Sequence, residues 1–413
     1  MKTRRALFVS YGGGHVSMLI PVIRQLQASQ PEIECVLLAL TTGWGKAKAA
    51  GVAALGYKDF VHLMDWPAAE HWGRILHGGN SSPDVSDEES VAYLGANYVD
   101  LVEQHGEAGA AALYAAQGRY GFMPLHFMRR VMAQLEPDVV VATNSPRSEE
   151  AALRVAKELG IPSVGTVDLF GMDSDTYVLR ACKPDWTCVI AASVRERLLV
   201  RGFPAEGVAV TGNPAFDGLF SPANRELAGK FRAERGWEWR QVILYIGAWE
   251  SVSHPGTSVP AGRSFPIEIE DILRRYVDGH PRAALIVRYH PGDWFMYPRH
   301  APQPNVHFSE PPAEHIHPLI LASDVVVNTN STVGLEAAIA GVPVISIENS
   351  PSVHHWFSLA ELGVSHPSPT HLDLPQTLDE VLAHGRTSTA FRSDGQAACR
   401  VASIVMRAIK ARL

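Results

Sequence analysis

Short apolar runs recur along the chain, each followed by a polar or glycine-rich stretch and then by apolar residues at every third or fourth position. The first run covers residues 6–10. Gly12, Gly13 and Gly14 follow as an expected loop, and Val16, Leu19, Ile20, Ile23 and Leu26 mark one face of a helix over 16–27. Further strand-like runs stand at 35–40, 139–142, 163–167, 188–192 and 208–211, with helical periodicity over 89–116, 123–135 and 196–201. After residue 212 the alternation restarts. Strands are expected at 242–246, 284–288, 307–308, 325–327 and 342–347, and helices at 265–277, 315–322 and 333–340. Continuous apolar strands joined through helices indicate parallel sheets covered on both faces. The pattern therefore predicts an α/β protein of two Rossmann-like βαβαβ domains, 1–212 and 213–387. A terminal amphipathic helix over 388–413 is expected to pack back on the first domain.

The most complete βαβ unit is DVVVNTNSTVGLEAAIAGVPVISIE, from Asp324 to Glu348. Free backbone N–H groups at the helix start, from Asn330 through Ser331 and Thr332, favour an anion and most simply a phosphate. Glu336 follows one turn later, where its carboxylate can accept hydrogen bonds from sugar hydroxyls. Plain capping by Ser331 and Thr332, with Glu336 in solvent, fits the same residues. The segment with Asn144, Ser145, Arg147 and Glu149 repeats this grammar, and Asp168 ends its second strand as a candidate base, hydroxyl ligand or simple turn residue. Residues 65–90, polar and punctuated by Pro and Gly, read as an insertion over the sheet edge, either an acceptor-binding surface or a loop without function.

Composition narrows the classes. A chain of 413 residues exceeds one ordinary core, and 46% hydrophobic with 19% charged residues describes a globular protein. The net charge of −7 supplies no footprint for nucleic acid. Four cysteines without a CxxC pair fit a reducing, cytoplasmic setting with neither a disulfide framework nor a zinc site. The MKTRR opening gives way early to Tyr11 and glycines, so it reads as a first strand and not a signal peptide. No apolar stretch reaches the roughly 18 residues of a membrane span, while loose attachment to a membrane surface stays open.

In the second half, three loops follow strands: 247–253, 288–293 and 328–336. In a parallel sheet they converge on one edge. Gly247, Arg288 and His290 belong to them, and Arg288 with His290 can hold a phosphate by charge-assisted hydrogen bonds. His15, where the first strand meets its helix, is the candidate general base; helix capping is the bland alternative. The nearest DxD is Asp173 and Asp175 in MDSDT, His315–Ile316–His317 puts imidazoles two residues apart without an acidic partner, and neither makes a metal site. No GxSxG elbow and no P-loop occurs.

These motifs resemble the GT-B superfamily, which holds nucleotide-sugar glycosyltransferases and the UDP-N-acetylglucosamine 2-epimerases. FVSYGGGHVSMLIPVIRQL is similar to the glycine-rich first loop of the lipid-II-forming N-acetylglucosaminyltransferase, VTGNPAFD to the interdomain strand of the 2-epimerases, and STVGLEAAIAGVPVI to the donor-site helix of both. RYHP with NTNST resembles the His-Pro and Ser/Thr motifs of bacterial sialyl-, Kdo- and glycerophosphate-transferases. The resemblance implies a GT-B fold whose domains face each other across a cleft, and an inverting, metal-independent transferase of glycan or glycoconjugate biosynthesis without a cofactor. His15, or else Asp168, would be the base. Gly13, Gly14, Gly247, Arg288, His290, Asn330, Ser331, Thr332 and Glu336 would meet a nucleotide-sugar donor, with Glu336 on the ribose. The acceptor would be a glycan, a lipid-linked sugar or a small molecule. A GTRPE-like epimerase loop is absent. A 2-epimerase-like enzyme or nucleotide-sugar hydrolase, and a non-catalytic nucleotide-sugar-binding protein, are the alternatives.

Overall fold

The computed structural model describes residues 3–79, 85–144, 146–168, 170–172, 182–384, 391 and 394–411. The chain divides into two compact units, 1–215 with 396–413, and 216–395. Strands of the first are β1 (Arg4–Tyr11), β2 (Ile33–Leu40), β3 (Val139–Thr143), β4 (Ser163–Thr166), β5 (Trp186–Val189) and β6 (Val208–Val210). Its helices are α1 (Gly12–Ser29), α2 (Thr42–Ala49), α3 (Trp66–His77), α4 (Asp87–Gln117), α5 (Leu125–Leu135), α6 (Ser148–Glu158) and α7 (Ala192–Val200). The second unit has strands β7 (Gln241–Gly247), β8 (Ala283–Tyr289), β9 (Val306–Ser309), β10 (Val325–Asn328), β11 (Val344–Ile347) and β12 (His366–Ser368). Its helices are α8 (Pro222–Glu234), α9 (Ser264–Gly279), α10 (Ile316–Leu321), α11 (Thr332–Ile339), α12 (Pro351–His355) and α13 (Leu374–His384). Helix α14 (Ala397–Ala411) belongs to the first unit.

Among the described residues each sheet has six parallel strands, in the orders β2-β1-β3-β4-β5-β6 and β12-β11-β10-β7-β8-β9. The second is the doubly wound order of dinucleotide-binding folds, and the first follows the flavodoxin-like order. Successive side chains on β1 explain the double cover: Ala6 and Phe8 enter one core, Leu7 and Val9 the other. On β7, Ile243 and Tyr245 join the core under α9 and α13, while Val242 and Leu244 are buried outside that cluster. Val401, Ile404, Val405 and Ala408 of α14 pack into the core that holds Leu19 and Ile23 of α1. Arg400 Nε fixes that helix by donating to Thr211 O at 2.8 Å.

The α/β architecture follows the apolar pattern, but several local expectations do not hold. The glycines after β1 form no loop: α1 begins at Gly12, whose φ of 78° lies in the left-handed region, directly after Tyr11. Residues 66–77 are a helix and not an irregular insertion. Asp65 caps α3 by accepting from Ala68 N at 3.3 Å, and Gly78 ends it at φ 57°. Helix α3 then lies against α4, where an added Cβ on Gly95 would stand 1.8 Å from Ala69 O. The backbones touch because that position has no side chain. The periodicity of β12 and α13 goes unread in the sequence behind Pro and His residues, yet Leu374, Leu378 and Val381 belong to the second unit's core. His315 caps α10 and His317 lies in its first turn, within the helix expected over 315–322. The terminal helix is described from Ala397 and not from 388, whose neighbours 385–390 lie outside the described residues. Among the described residues no helix is long and apolar enough to cross a membrane. The four cysteines are free thiols.

Candidate active site

Parallel sheets expose strand ends and helix starts on one edge, and crevices open where the strand order reverses. In the first unit that point lies between β1 and β3. His15, in the first turn of α1, places Nδ1 3.1 Å from Thr143 Oγ1 at the end of β3. The Thr143 hydroxyl donates to Glu149 Oε1 at 3.0 Å, and the same oxygen accepts from Tyr11 N at 2.5 Å. A hydroxyl has one proton, and Thr143 uses it on Glu149. His15 Nδ1 must then be the donor to Thr143, which leaves the lone pair of the neutral ring on Nε2. Asp168 Oδ2 lies 3.8 Å from that nitrogen, near enough to attract an imidazolium and too far to hydrogen-bond the neutral ring.

Glu149 is completely buried. Burial pushes its carboxyl above the ordinary value, against the pull of His15, backbone N–H groups including that of Tyr11, and Thr143. Arg147 precedes α6 with φ 76° and ψ −114°, a left-handed conformation that costs a residue with a side chain about 1–3 kcal/mol. Its guanidinium lies 4.2 Å from the centre of the Tyr11 ring. Gly13 and Gly14 are backbone of the α1 start beside His15. Ser145, Asp173 and Asp175 lie outside the described residues.

In the second unit the strand order reverses between β7 and β10. Gly247 ends β7, and its carbonyl accepts from His290 N at 2.9 Å. The glycine is needed by the neighbouring strand, since a Cβ there would stand 2.5 Å from the Tyr289 ring. His290 is exposed, and its Nδ1 accepts from Gly292 N at 3.0 Å, so the neutral ring carries its proton on Nε2 as an outward donor. Ser331 caps α11 by accepting from Val333 N at 3.2 Å, its own N–H reaches Asn328 Oδ1 at 3.0 Å, and Asn330 Nδ2 donates to Ser352 O at 3.1 Å. Thr332 is exposed at the helix start. Arg288 is turned toward β9: Nη1 donates to Ser309 Oγ at 2.8 Å and Glu314 O at 2.7 Å, and burial lowers its pKa to about 10. Its guanidinium is thus engaged in holding β9 and the segment before α10.

Glu336 is paired. His317 Nε2 stands 3.1 Å from Glu336 Oε2, and both side chains are largely shielded. Two residues emerge here that their sequence context does not single out. His317 reads in the sequence only as half of a histidine pair. Glu250 is buried and accepts from Ser350 Oγ at 2.7 Å, Ser352 N at 3.0 Å and Ser352 Oγ at 2.5 Å, which ties the loop after β7 to the start of α12. The signal available for Glu250 was a carboxylate in a loop after a strand; its partners are about a hundred residues away in sequence. Among the described residues no group of three or more His, Cys, Asp or Glu side chains could hold a metal ion.

No family model matches the chain, and no curated protein matches it. Solved structures do. UDP-GlcNAc 2-epimerase from Neisseria meningitidis, bound to UDP-GlcNAc, is similar with a TM-score of 0.59 and 14% identity over 98% of this chain and 100% of that one. The Methanocaldococcus jannaschii UDP-GlcNAc 2-epimerase, in complex with UDP-GlcNAc and UDP, gives 0.60 and 13% over 98% and 99%. The wall teichoic acid polymerase TagF gives 0.56 and 13% over 100% and 90%.

The fold is of the GT-B type. At these identities the likeness is one of fold, and it spans both units. Within this GT-B chain, the N-terminal unit carries His15, Thr143, Glu149 and Asp168 at its strand reversal. The C-terminal unit carries His290 after β8, Ser331 at the cap of α11 and Glu336 within that helix.

Proposed function

We propose that the protein is an inverting, metal-independent glycosyltransferase that moves a sugar from a nucleotide-sugar donor to an acceptor hydroxyl. The observation that carries this reading is the His15–Thr143–Glu149 relay, which leaves the basic lone pair on His15 Nε2. In the reaction, His15 Nε2 takes the proton of the acceptor hydroxyl as its oxygen attacks the anomeric carbon and the bond to the donor phosphate breaks. The nucleoside diphosphate leaves with that electron pair. Asp168, 3.8 Å from Nε2, stabilises the imidazolium as it forms. The departing phosphate is held by His290 Nε2–H and the backbone N–H groups at the start of α11, and Glu336 accepts from the ribose hydroxyls. UDP-GlcNAc, named with the two epimerase structures, is the first donor to try.

The epimerase likeness favours a second reading, in which the same donor is converted without an acceptor. Purified protein is incubated with UDP-GlcNAc and other nucleotide sugars, with and without a mixture of acceptor sugars. Transfer predicts nucleotide release that depends on acceptor and falls by about 10²–10⁴ in His15→Ala. Conversion or hydrolysis of the sugar at full rate without acceptor would overturn it.

A further inference from the structure

We infer that Arg147 makes the N-terminal site selective for an acidic acceptor, one with a carboxylate or phosphate group close to the hydroxyl that reacts. The inference rests on the transferase reading and names its acceptor class. Among the described residues, several other arginines of the unit are paired with carboxylates: Arg5 with Glu34, Arg129 with Glu158, Arg130 with Glu103 and Arg154 with Glu150. Arg147 has no such partner there. Its one hydrogen bond is long, from Nη1 to the Tyr93 hydroxyl at 3.5 Å, and its buried Nε has none. Its ring contacts are with Tyr11 at 4.2 Å and Tyr120 at 5.9 Å from the guanidinium carbon, and the buried Glu149 carboxylate attracts it from beyond ion-pair distance.

Stacking holds the plane of the guanidinium, and its Nη donors, engaged only by the long bond to Tyr93, match the paired oxygens of a carboxylate or phosphate. Arg147 is also linked to the proposed base through Tyr11 and Glu149. Tyr11, under the guanidinium, donates its N–H to the same Glu149 oxygen that receives the Thr143 proton. Tyr120 is 82% exposed next to this cation, an aromatic face on which a sugar ring can stack. Cation and ring together offer two-point recognition of an acidic sugar. A neutral sugar would offer the Nη donors no paired oxygens.

The test is calorimetric binding of methyl glucuronide, glycerol 3-phosphate and methyl glucoside to the full chain. Arg147→Gly accepts the left-handed backbone without strain, so a retained melting temperature shows an intact fold, and Arg147→Lys keeps the charge without the fork. At least one acid should bind wild type about tenfold more tightly than the glucoside, roughly one charge-assisted contact. The glucuronide and glycerol 3-phosphate arms separate carboxylate from phosphate. That preference should vanish in Arg147→Gly and weaken in Arg147→Lys. Equal binding of acids and glucoside by wild type, or a preference kept by Arg147→Gly, would overturn the inference. Absence of any transfer in the nucleotide-release assay would remove the transferase reading while an Arg147-dependent preference still stood. Loss of the preference with transfer intact would remove only this inference.

Discussion

His15 Nδ1 lies 3.1 Å from Thr143 Oγ1, and because the hydroxyl proton goes to Glu149, the pair sets the tautomer of the histidine. Thr143→Val keeps the shape of the side chain and removes the relay. The ring then loses its orientation, and the turnover number should fall about 10–100-fold, a fraction of the general-base contribution, with KM little changed. Thr143→Ser should restore most of it. Steady-state nucleotide release measures both, and a valine variant with wild-type turnover would remove the relay from the mechanism.

His317 holds Glu336 at 3.1 Å and acts through that carboxylate, so it is a positioning residue. His317→Phe should leave the carboxylate without its imidazole partner and weaken nucleotide binding about 10–100-fold, the order expected when an orienting partner of a binding group is lost. The turnover number at saturating donor should stay near wild type. Titration with UDP, set beside the KM and kcat of the donor, separates this from a general loss of fold, which would lower both.

Gly95→Ala tests the contact between α3 and α4. The new Cβ would stand 1.8 Å from Ala69 O, a backbone atom that cannot rotate away. Overpacking of this kind should cost at least about 1–3 kcal/mol. Urea unfolding followed by circular dichroism should show an earlier midpoint. An unchanged midpoint would mean that the two helices separate at no cost.

Glu89 gives the fold a pH dependence. Burial pushes its carboxyl up to about 7, although Lys58 and Tyr57 backbone N–H groups pull it down. Since the folded value is raised, the protonated form is favoured by folding. The contribution is fully present below the ordinary value of 4.5 and is lost as pH rises through about 7. The loss amounts to roughly 3 kcal/mol at most. Denaturant unfolding of wild type and Glu89→Gln across this window should show a falling stability in the first and a nearly flat one in the second. Parallel slopes would assign the titration to another group.

The parallel α/β architecture was legible because its cause is local: strands covered on both faces must be apolar at every position, as residues 6–9 and 325–327 are. The placement of His15, His290 and Ser331 at strand ends or helix starts was legible for the same reason, since a strand followed by a helix can only turn at that edge. Conformation near the glycines was not. Three consecutive glycines permit a loop and a helix start equally, and contact of Gly12 with α2, where an added Cβ on Gly43 would meet Gly12 O at 3.2 Å, belongs to the packed state.

Side-chain pairing was decided by tertiary structure alone. Nothing local distinguishes Arg288, committed to Ser309 and Glu314, from Arg147, stacked on Tyr11 with a single long hydrogen bond to Tyr93. Thr143 gains its meaning from His15, 128 residues away, and Glu250 from Ser350, 100 residues away. The amino-acid order determined which residues reach the edge of each sheet, through the period of its apolar positions. Which of them are spent on one another, and which remain for a ligand, follows only when burial brings distant donors and acceptors into hydrogen-bond range.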